Sequence, residues 1–580
     1  MTYPSRQQAL FEPPIDRPLP LWILFPLIFV GVYLSHLWFL RLPYYWDEAG
    51  YYIPAAYDFF RSGSLIPYSI PSNAHPPLPS LYLALWWKAS GFTPAVTRTA
   101  MCVIAAVALL GVYRLCLELN GRAQVAAATT ALTAIYPIWF AQSTLAHADL
   151  FAAAGTLWGL AFYFSRPPRD GRAPQPARSM GASIALFALA ALAKETAIVT
   201  PAALAAAELL RALRATGADR RRHLVFGLLL LLPMLPLAAW FAYHRYRTGY
   251  TFGNPEFLRY NLTANLSLQR TFYALRSRVL HLAAHMNMFA PVLCAAGALL
   301  LPPLPEGARG ATRPPISPAH LASLFAVLLA NALFFSISGG ALLTRYLLPL
   351  YPLVLFLCVS TFYRRVRYWW ALIALAAAAF LMGLFINPPY SFAPEDNLTY
   401  VDMIRLQQQA IRQIVTRFPG RTVLTAWPAT DELTKPELGY VSRPVRVVAL
   451  RDFSLTQVQK AAASGANFSL CLAFSTQYAP AQTAFNRAAL DESINRRLFG
   501  FHRDLDPGAI ARILNGSVFW RASSNGEWSA ILQLERPQIA HSEFPGMQRK
   551  RPARFRPLTP KFGAAGPGPR FRRPDPEPPA

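Results

Sequence analysis

Two adjacent carboxylates, Asp47 and Glu48, stand in the segment PYYWDEAGYYIP, directly after the first long apolar run. A carboxylate partly withdrawn from water among Tyr44, Tyr45, Trp46, Tyr51 and Tyr52 suits a general base taking a proton from an acceptor hydroxyl. The same acids would also suit a helix start, where the backbone dipole favours negative charge and aromatic rings form an interfacial belt. HPPL at 75–78 fixes an extended segment that presents His75. Asp149, in STLAHADLFAAAG, lies at the end of an apolar run, and acids in such runs are costly and usually functional. Lys194 and Glu195 stand between two apolar runs, where they could pair with each other. Arg345 and Tyr346 belong to TRYLLPLYPLV at another run boundary, with snorkelling as the plain alternative for the arginine. Arg245, Arg247, Arg259, Arg270, Arg276 and Arg278 crowd residues 244–278. Guanidinium forks match phosphate oxygens, so this surface could grip a phosphate or merely face lipid headgroups.

The elements that must position these residues are mostly apolar. Among 580 residues, 54% are hydrophobic and 14% charged, against roughly 25% charge in soluble domains, which argues against an ordinary cytosolic enzyme. About eleven runs approach the 20 residues needed to cross a bilayer: 21–42, 95–117, 124–142, 147–164, 180–193, 196–210, 223–243, 279–301, 320–338, 345–362 and 368–386. The runs at 180–193 and 196–210 read as two short helices or one broken one. The stretch 76–90 is short and opens with prolines, so it reads as lying at the membrane edge. The first run has no small-residue cleavage site after it and reads as a retained anchor.

Basic residues set the orientation. Arg6, Arg17, Arg114, Arg122, Arg166, Arg169, Arg172, Arg178, Arg211, Arg214, Arg220, Arg221, Arg222, Arg309, Arg313, Arg364, Arg365 and Arg367 fall on one side if the runs alternate. That side is cytoplasmic, and an odd number of crossings puts everything after 386 outside. The net charge of +26 is explained by topology and anionic lipid, with no nucleic-acid partner. Five cysteines without a CxxC pair exclude a disulfide framework or zinc ribbon as the organising principle.

Past 390 the pattern changes. LTYVDMIRLQQQAIRQIVTRF and SLTQVQKAAASG read as helices, RTVLTAWP, VRVVALRD and NFSLCLAF as short buried strands, and 517–535 as a hairpin turning at Ser524-Asn525-Gly526. No Gly-rich phosphate loop opens a helix there. The organisation expected is a cytoplasmic N-terminus (1–20), a transmembrane domain (21–389), an extracytoplasmic α/β domain (390–539) and a disordered, basic, Pro-rich tail (540–580).

The ordered set WDEA (46–49), HPPL (75–78), Asp149 in its run, LAALAKETAIVTP (189–201), NPEFLRY (254–260) and RYLLPLYP (345–352) resembles the GT-C glycosyltransferases. The resemblance covers about residues 20–390 and points to the branch holding protein O-mannosyltransferases and the aminoarabinose transferase of lipid A. It implies a multi-pass enzyme of a bacterial cell membrane. That enzyme would move a sugar, with inversion, from a polyprenyl-phosphate donor to a lipid, glycan or protein acceptor. Asp47 would be the catalytic base with Glu48 beside it. Arg345, with Arg259, Lys194 and His75, would hold the donor phosphate, supported by Asp149 and Tyr346. A divalent metal is left open, because the loop after NPEFLRY lacks a histidine that can bind one in the aminoarabinose transferase. The competing reading is a multi-span transporter or flippase for a lipid-linked or anionic substrate, but no internal repeat is visible and the polar residues gather on one face. A sensor with an outer α/β domain would not need the cluster of Asp47, His75 and Arg345.

Overall fold

The computed structural model describes residues 18–165, 176–261, 266–306, 312–338, 341–478 and 488–535. The segment 1–17, Arg6, Arg17, Arg166, Arg169, Arg172, Arg309, most of the loop after NPEFLRY and the tail 540–580 lie outside the described residues.

The first part of the chain is helical. It runs α1 (Leu21–Ser35), α2 (Ile53–Ser62), α3 (Leu78–Ser90), α4 (Pro94–Asn120), α5 (Ala123–Ile135), α6 (Pro137–Gln142), α7 (Ala148–Tyr163), α8 (Pro176–Ala193) and α9 (Val199–Arg214). It continues with α10 (Gly217–Leu229), α11 (Met234–Thr248), α12 (Pro255–Asn261), α13 (Leu268–Ala283), α14 (Phe289–Ala298), α15 (Pro318–Ile337), α16 (Tyr351–Arg365) and α17 (Trp369–Phe385). Among the described residues four stretches are long and apolar enough to cross a membrane: Pro94–Asn120, Glu195–Arg214, Gly217–Thr248 and Pro318–Ile337. Local chemistry sets their ends. The α4 helix starts where Thr93 Oγ1 accepts the Val96 N–H and Pro94 takes the first turn, and it stops at Gly121, whose φ of 74° suits a residue without Cβ.

Some runs depart from the sequence expectation and others follow it. Run 279–301 is broken: the helices on either side of Met286 and Asn287 meet at 99°. Both residues take left-handed φ, 46° and 65°, and the chain is held there because His285 Nε2 lies 2.7 Å from Asp396 Oδ2 and its carbonyl accepts from Tyr136 Oη. Segments 180–193 and 196–210 are two helices, parted at Lys194 by extended backbone (φ −149°, ψ 125°). Part of the arginine-rich loop 244–278 is helical, in α12 and α13, and two of its arginines, Arg270 and Arg278, are buried. The α3 helix within 76–90 has 13 residues, about 20 Å at 1.5 Å each, short of the ~30 Å hydrocarbon core.

The remaining elements are α18 (Thr399–Arg417), β1 (Val423–Ala426), α19 (Ala429–Thr434), β2 (Val447–Leu450), α20 (Leu455–Ala463), β3 (Leu470–Phe474), α21 (Ala488–Phe499), α22 (Pro507–Ile513), β4 (Gly516–Ser524) and β5 (Glu527–Leu534). The strands form one sheet in the order β2-β1-β3-β5-β4, with β1 parallel to β2 and β3, and β5 antiparallel to both its neighbours. The runs VLTA and LCLAF are buried at every residue, as central strands covered on both faces must be. The hairpin turns on Asn525 (φ 46°) and Gly526 (φ 86°), the two left-handed positions that a tight hairpin needs. Ala410, Ile411 and Ile414 of α18 close the core over Leu424, Leu472 and Ile531.

This α/β layer packs directly on the loop that carries Asp47. Trp46 meets Trp427 edge to face at 5.0 Å, and Tyr440 Oη donates to the Tyr44 carbonyl at 3.1 Å. Gly50 is required here, because a Cβ at that position would come within 2.5 Å of the Trp427 ring.

Candidate active site

The Asp47 loop is fixed from beneath. Arg98, in the first turns of α4, is fully buried and ion-paired to the equally buried Glu48 at 3.2 Å. Its remaining donors go to the carbonyls of Leu42 (3.1 Å), Pro43 (2.6 Å) and Thr144 (3.0 Å). Glu48 also accepts the backbone N–H groups of Tyr45 (2.9 Å) and Ala146 (2.6 Å). Glu48 therefore holds the loop and is turned away from any substrate; expected beside Asp47 as a catalytic acid, it takes a positioning part instead. The chain passes Trp46 with a left-handed φ of 45° and turns through a π-helix, Glu48–Tyr52, into α2. A non-glycine residue in that region carries about 1–3 kcal/mol of strain and persists only when its surroundings enforce it. Pro54 falls in the first turn of α2, where no backbone donor is needed.

Breaking this clamp should be severe. Arg98→Ala leaves Glu48 charged and buried, and losing one partner of a buried ion pair costs about 3–5 kcal/mol. The expected result is a protein that unfolds at clearly lower temperature in detergent, and an unchanged melting temperature would remove the clamp from the account. Glu48→Gln keeps its acceptor oxygen and should do less.

Asp47 turns to Arg345, which lies in a 3₁₀ turn, Thr344–Leu347, before α16. Its Nη2 is bonded to Asp47 Oδ2, and its Nη1 donates to both oxygens of Glu395, at 2.6 and 2.7 Å. Its Nε faces Asp149 Oδ2 at 3.5 Å, and neither of those two atoms has a hydrogen bond among the described residues. Lys194 Nζ donates to Asp149 Oδ1 at 2.5 Å and sits 4.1 Å from the centre of the Tyr346 ring. Three carboxylates and two cations thus form one network. Its members are nearly sealed, at 2% side-chain exposure for Arg345 and Asp149 and 5% for Glu395, except Asp47 at 31%. Asp47, Arg345, Glu395 and Asp396 open on a cavity of about 700 Å³, roofed by the α/β layer.

A sequence profile for dolichyl-phosphate-mannose-protein mannosyltransferases matches residues 74–240. The crystal structure of ArnT from Cupriavidus metallidurans bound to undecaprenyl phosphate superposes with a TM-score of 0.51 at 17% identity, covering 88% of this chain and 97% of that one. The chain has the GT-C glycosyltransferase fold. Looser likenesses are to the Archaeoglobus fulgidus oligosaccharyltransferase (TM-score 0.44, 12% identity, 88% of this chain and 73% of that one). The Saccharomyces cerevisiae Pmt1-Pmt2 complex bound to the sugar donor matches at 0.33, with 15% identity over 46% of this chain and 38% of that one. No curated protein sequence matches the chain.

Within this GT-C fold the expected site residues divide. Asp47, Asp149, Lys194, Arg345 and Tyr346 come together. Lys194 and Glu195 do not pair with each other, because the extended backbone at Lys194 sends them apart, Lys194 to Asp149 and Glu195 to His75. His75 Nδ1 lies 3.0 Å from Glu195 Oε2, and its ring is enclosed by Tyr51, Tyr52 and Phe257. It is positioned by that carboxylate and joins none of the Arg345 contacts. Arg259 is exposed on α12 and joins none of the contacts that Arg345 makes. Sequence reading missed Arg98, His285, Glu395 and Asp396. One signal for Arg98 was available: an arginine near the start of the 95–117 apolar run, which has to find a partner. For Glu395 it was the PED triplet, two acids soon after the last apolar run. Among the described residues no group of three or more His, Cys, Asp or Glu side chains is arranged to hold a metal ion.

Burial pushes the Glu395 carboxyl up to about 8, against the pull of Arg345, with Asp47, Asp396 and Asp149 adding to the rise. A carboxyl raised in the folded state binds its proton more tightly there than when unfolded. By itself Glu395 therefore lowers stability as pH climbs from about 4.5 to about 8, and adds no slope above that. Glu395→Gln should gain stability on the parent across that window. A difference in melting temperature that stays constant from pH 5 to 9 would show that Glu395 does not titrate there.

Proposed function

We propose that the protein is an inverting glycosyltransferase that moves a sugar from a polyprenyl-phosphate donor to an acceptor hydroxyl at the outer membrane face. In this reading the chain crosses the membrane about eleven times, with the N-terminus cytoplasmic and the α/β layer outside. The observation that carries it is the pairing of Asp47, the one solvent-reaching carboxylate of its network, with the buried Arg345 at the cavity mouth. The unsatisfied Arg345 Nε supplies an N–H for a phosphate oxygen, and the Nη2 held by Asp47 supplies another once that contact opens. The donor phosphate draws the guanidinium and frees Asp47. Asp47 then takes the proton of the acceptor hydroxyl as its oxygen attacks the anomeric carbon from the face opposite the phosphate. The bond from the anomeric carbon to the phosphate oxygen breaks, its electron pair stays on the phosphate, and preorganised cations stabilise the charge that develops there.

The test is a transfer assay with purified protein in sealed vesicles carrying a radiolabelled polyprenyl-phosphate sugar. Release of polyprenyl phosphate with label on an acceptor supports the proposal. Movement of intact donor across the bilayer, with the glycosyl–phosphate bond unbroken, would establish a flippase instead.

A further inference from the structure

The cavity above Asp47 has a second wall, made by the α/β layer, that plays no part in the donor contacts. Trp427, Arg451, Asp452, Gln477, Asn495 and His502 line it. Trp427 is 36% exposed, unusual for a ring seated beside a domain core, while it packs at a steep angle on Trp46. Asp452 uses Oδ1 to accept the Ser454 N–H at 3.0 Å, which fixes the carboxylate on its turn. The far rim is tied down where the buried Arg270 of α13 lies 5.0 Å from the Phe499 ring of α21.

The chemistry of this wall is mixed. It offers donors from Arg451, Gln477 and Asn495, acceptors from Asp452 and the two amides, and a flat aromatic face from Trp427. Groups that both donate and accept, arrayed around a compact ring with one apolar face, satisfy such a wall; hydroxyls are of that kind. An acyl chain would leave the polar groups unpaired, at a penalty of about 1–3 kcal/mol each. A phosphate would match only the cationic part. At about 700 Å³ the cavity falls within the range of small-ligand sites.

Resting on the glycosyl-transfer reading above, we propose that this wall is an acceptor subsite for a polyhydroxylated saccharide unit, held so that one of its hydroxyls reaches Asp47. The acceptor is then a glycan, with Asp452 and Gln477 as the residues that select it.

The test separates this from the transfer reaction itself. Full-length protein in a detergent without sugar headgroups, with no donor added, is titrated with maltose and chitobiose and followed by saturation-transfer NMR. A hydroxyl-bearing peptide and diacyl phospholipid vesicles serve as the other arms. The parent should saturate sugar-ring protons. Asp452→Asn, which keeps the acceptor for Ser454, and Gln477→Ala should each weaken saccharide binding about 3–10-fold, the loss of one hydrogen bond. Polyprenyl phosphate binding and the melting temperature should not change in either. Saccharide signals equal in parent and both variants would overturn the subsite, as would preferential binding of the peptide or the vesicles. Failure of sugar transfer by donor-loaded protein would leave these binding results standing, because no turnover enters them.

Discussion

Asp47→Asn should lower sugar transfer by about 10²–10⁴-fold, the usual contribution of a positioned general base. The amide keeps the shape of the side chain and an oxygen for Arg345, but it cannot take the hydroxyl proton. Its surroundings argue for a clean effect. The loop is held by the Arg98–Glu48 clamp and by Trp46 on Trp427, neither of which involves the Asp47 side chain. Insertion and folding should therefore survive. Donor affinity should hold or rise, since an amide competes less well than a carboxylate for Arg345. The measurement is transfer of labelled sugar from polyprenyl phosphate in membranes matched for protein amount, beside donor binding to the purified variant. Parental transfer by Asp47→Asn would make Asp47 a counter-ion of Arg345 and nothing more, and the mechanism would fall.

The residues that do chemistry were more legible in the sequence than the contacts that place them. WDEA, Asp149, Lys194 and Arg345 stand out because charge in or beside an apolar run needs a reason, and four of those side chains share one network. Their partners could not be read in the same way. Lys194 and Glu195 are neighbours in sequence, so mutual pairing was the simple expectation. A backbone break at Lys194, invisible to hydropathy, sends one to α7 and the other to His75. Glu395 was missed because the α/β layer was judged by its strands, while the contact comes from the short linker that enters it. The strands themselves were readable, since VLTA and LCLAF are short, mostly apolar runs of strand-favouring residues. The kink in run 279–301 was not, because a single Asn287 inside an apolar run is a weak turn signal, Met286 gives none, and His285 finds Asp396 more than a hundred residues away.

Arg345 is the residue on which donor binding and stability meet, and the two can be separated. Arg345→Ala removes the Nε and Nη2 donors proposed for the phosphate. At roughly 1.5–3 kcal/mol for each charge-assisted hydrogen bond, donor affinity should fall at least 10-fold, and toward 100-fold or more if both contacts are lost. Arg345→Lys keeps the charge but not the fork, so it should lose less. The alanine variant also leaves the buried Glu395 without its hydrogen-bond partner and Asp149 with Lys194 alone, so it should be destabilised as well. Weak donor binding could then be blamed on unfolding. The double variant Arg345→Ala/Glu395→Gln answers that objection, because it removes the buried acid that Arg345 partners along with the cation. Its melting temperature should recover toward that of the parent while its donor affinity stays low. If affinity recovers along with the melting temperature, Arg345 serves only to neutralise carboxylates, and the phosphate is held elsewhere.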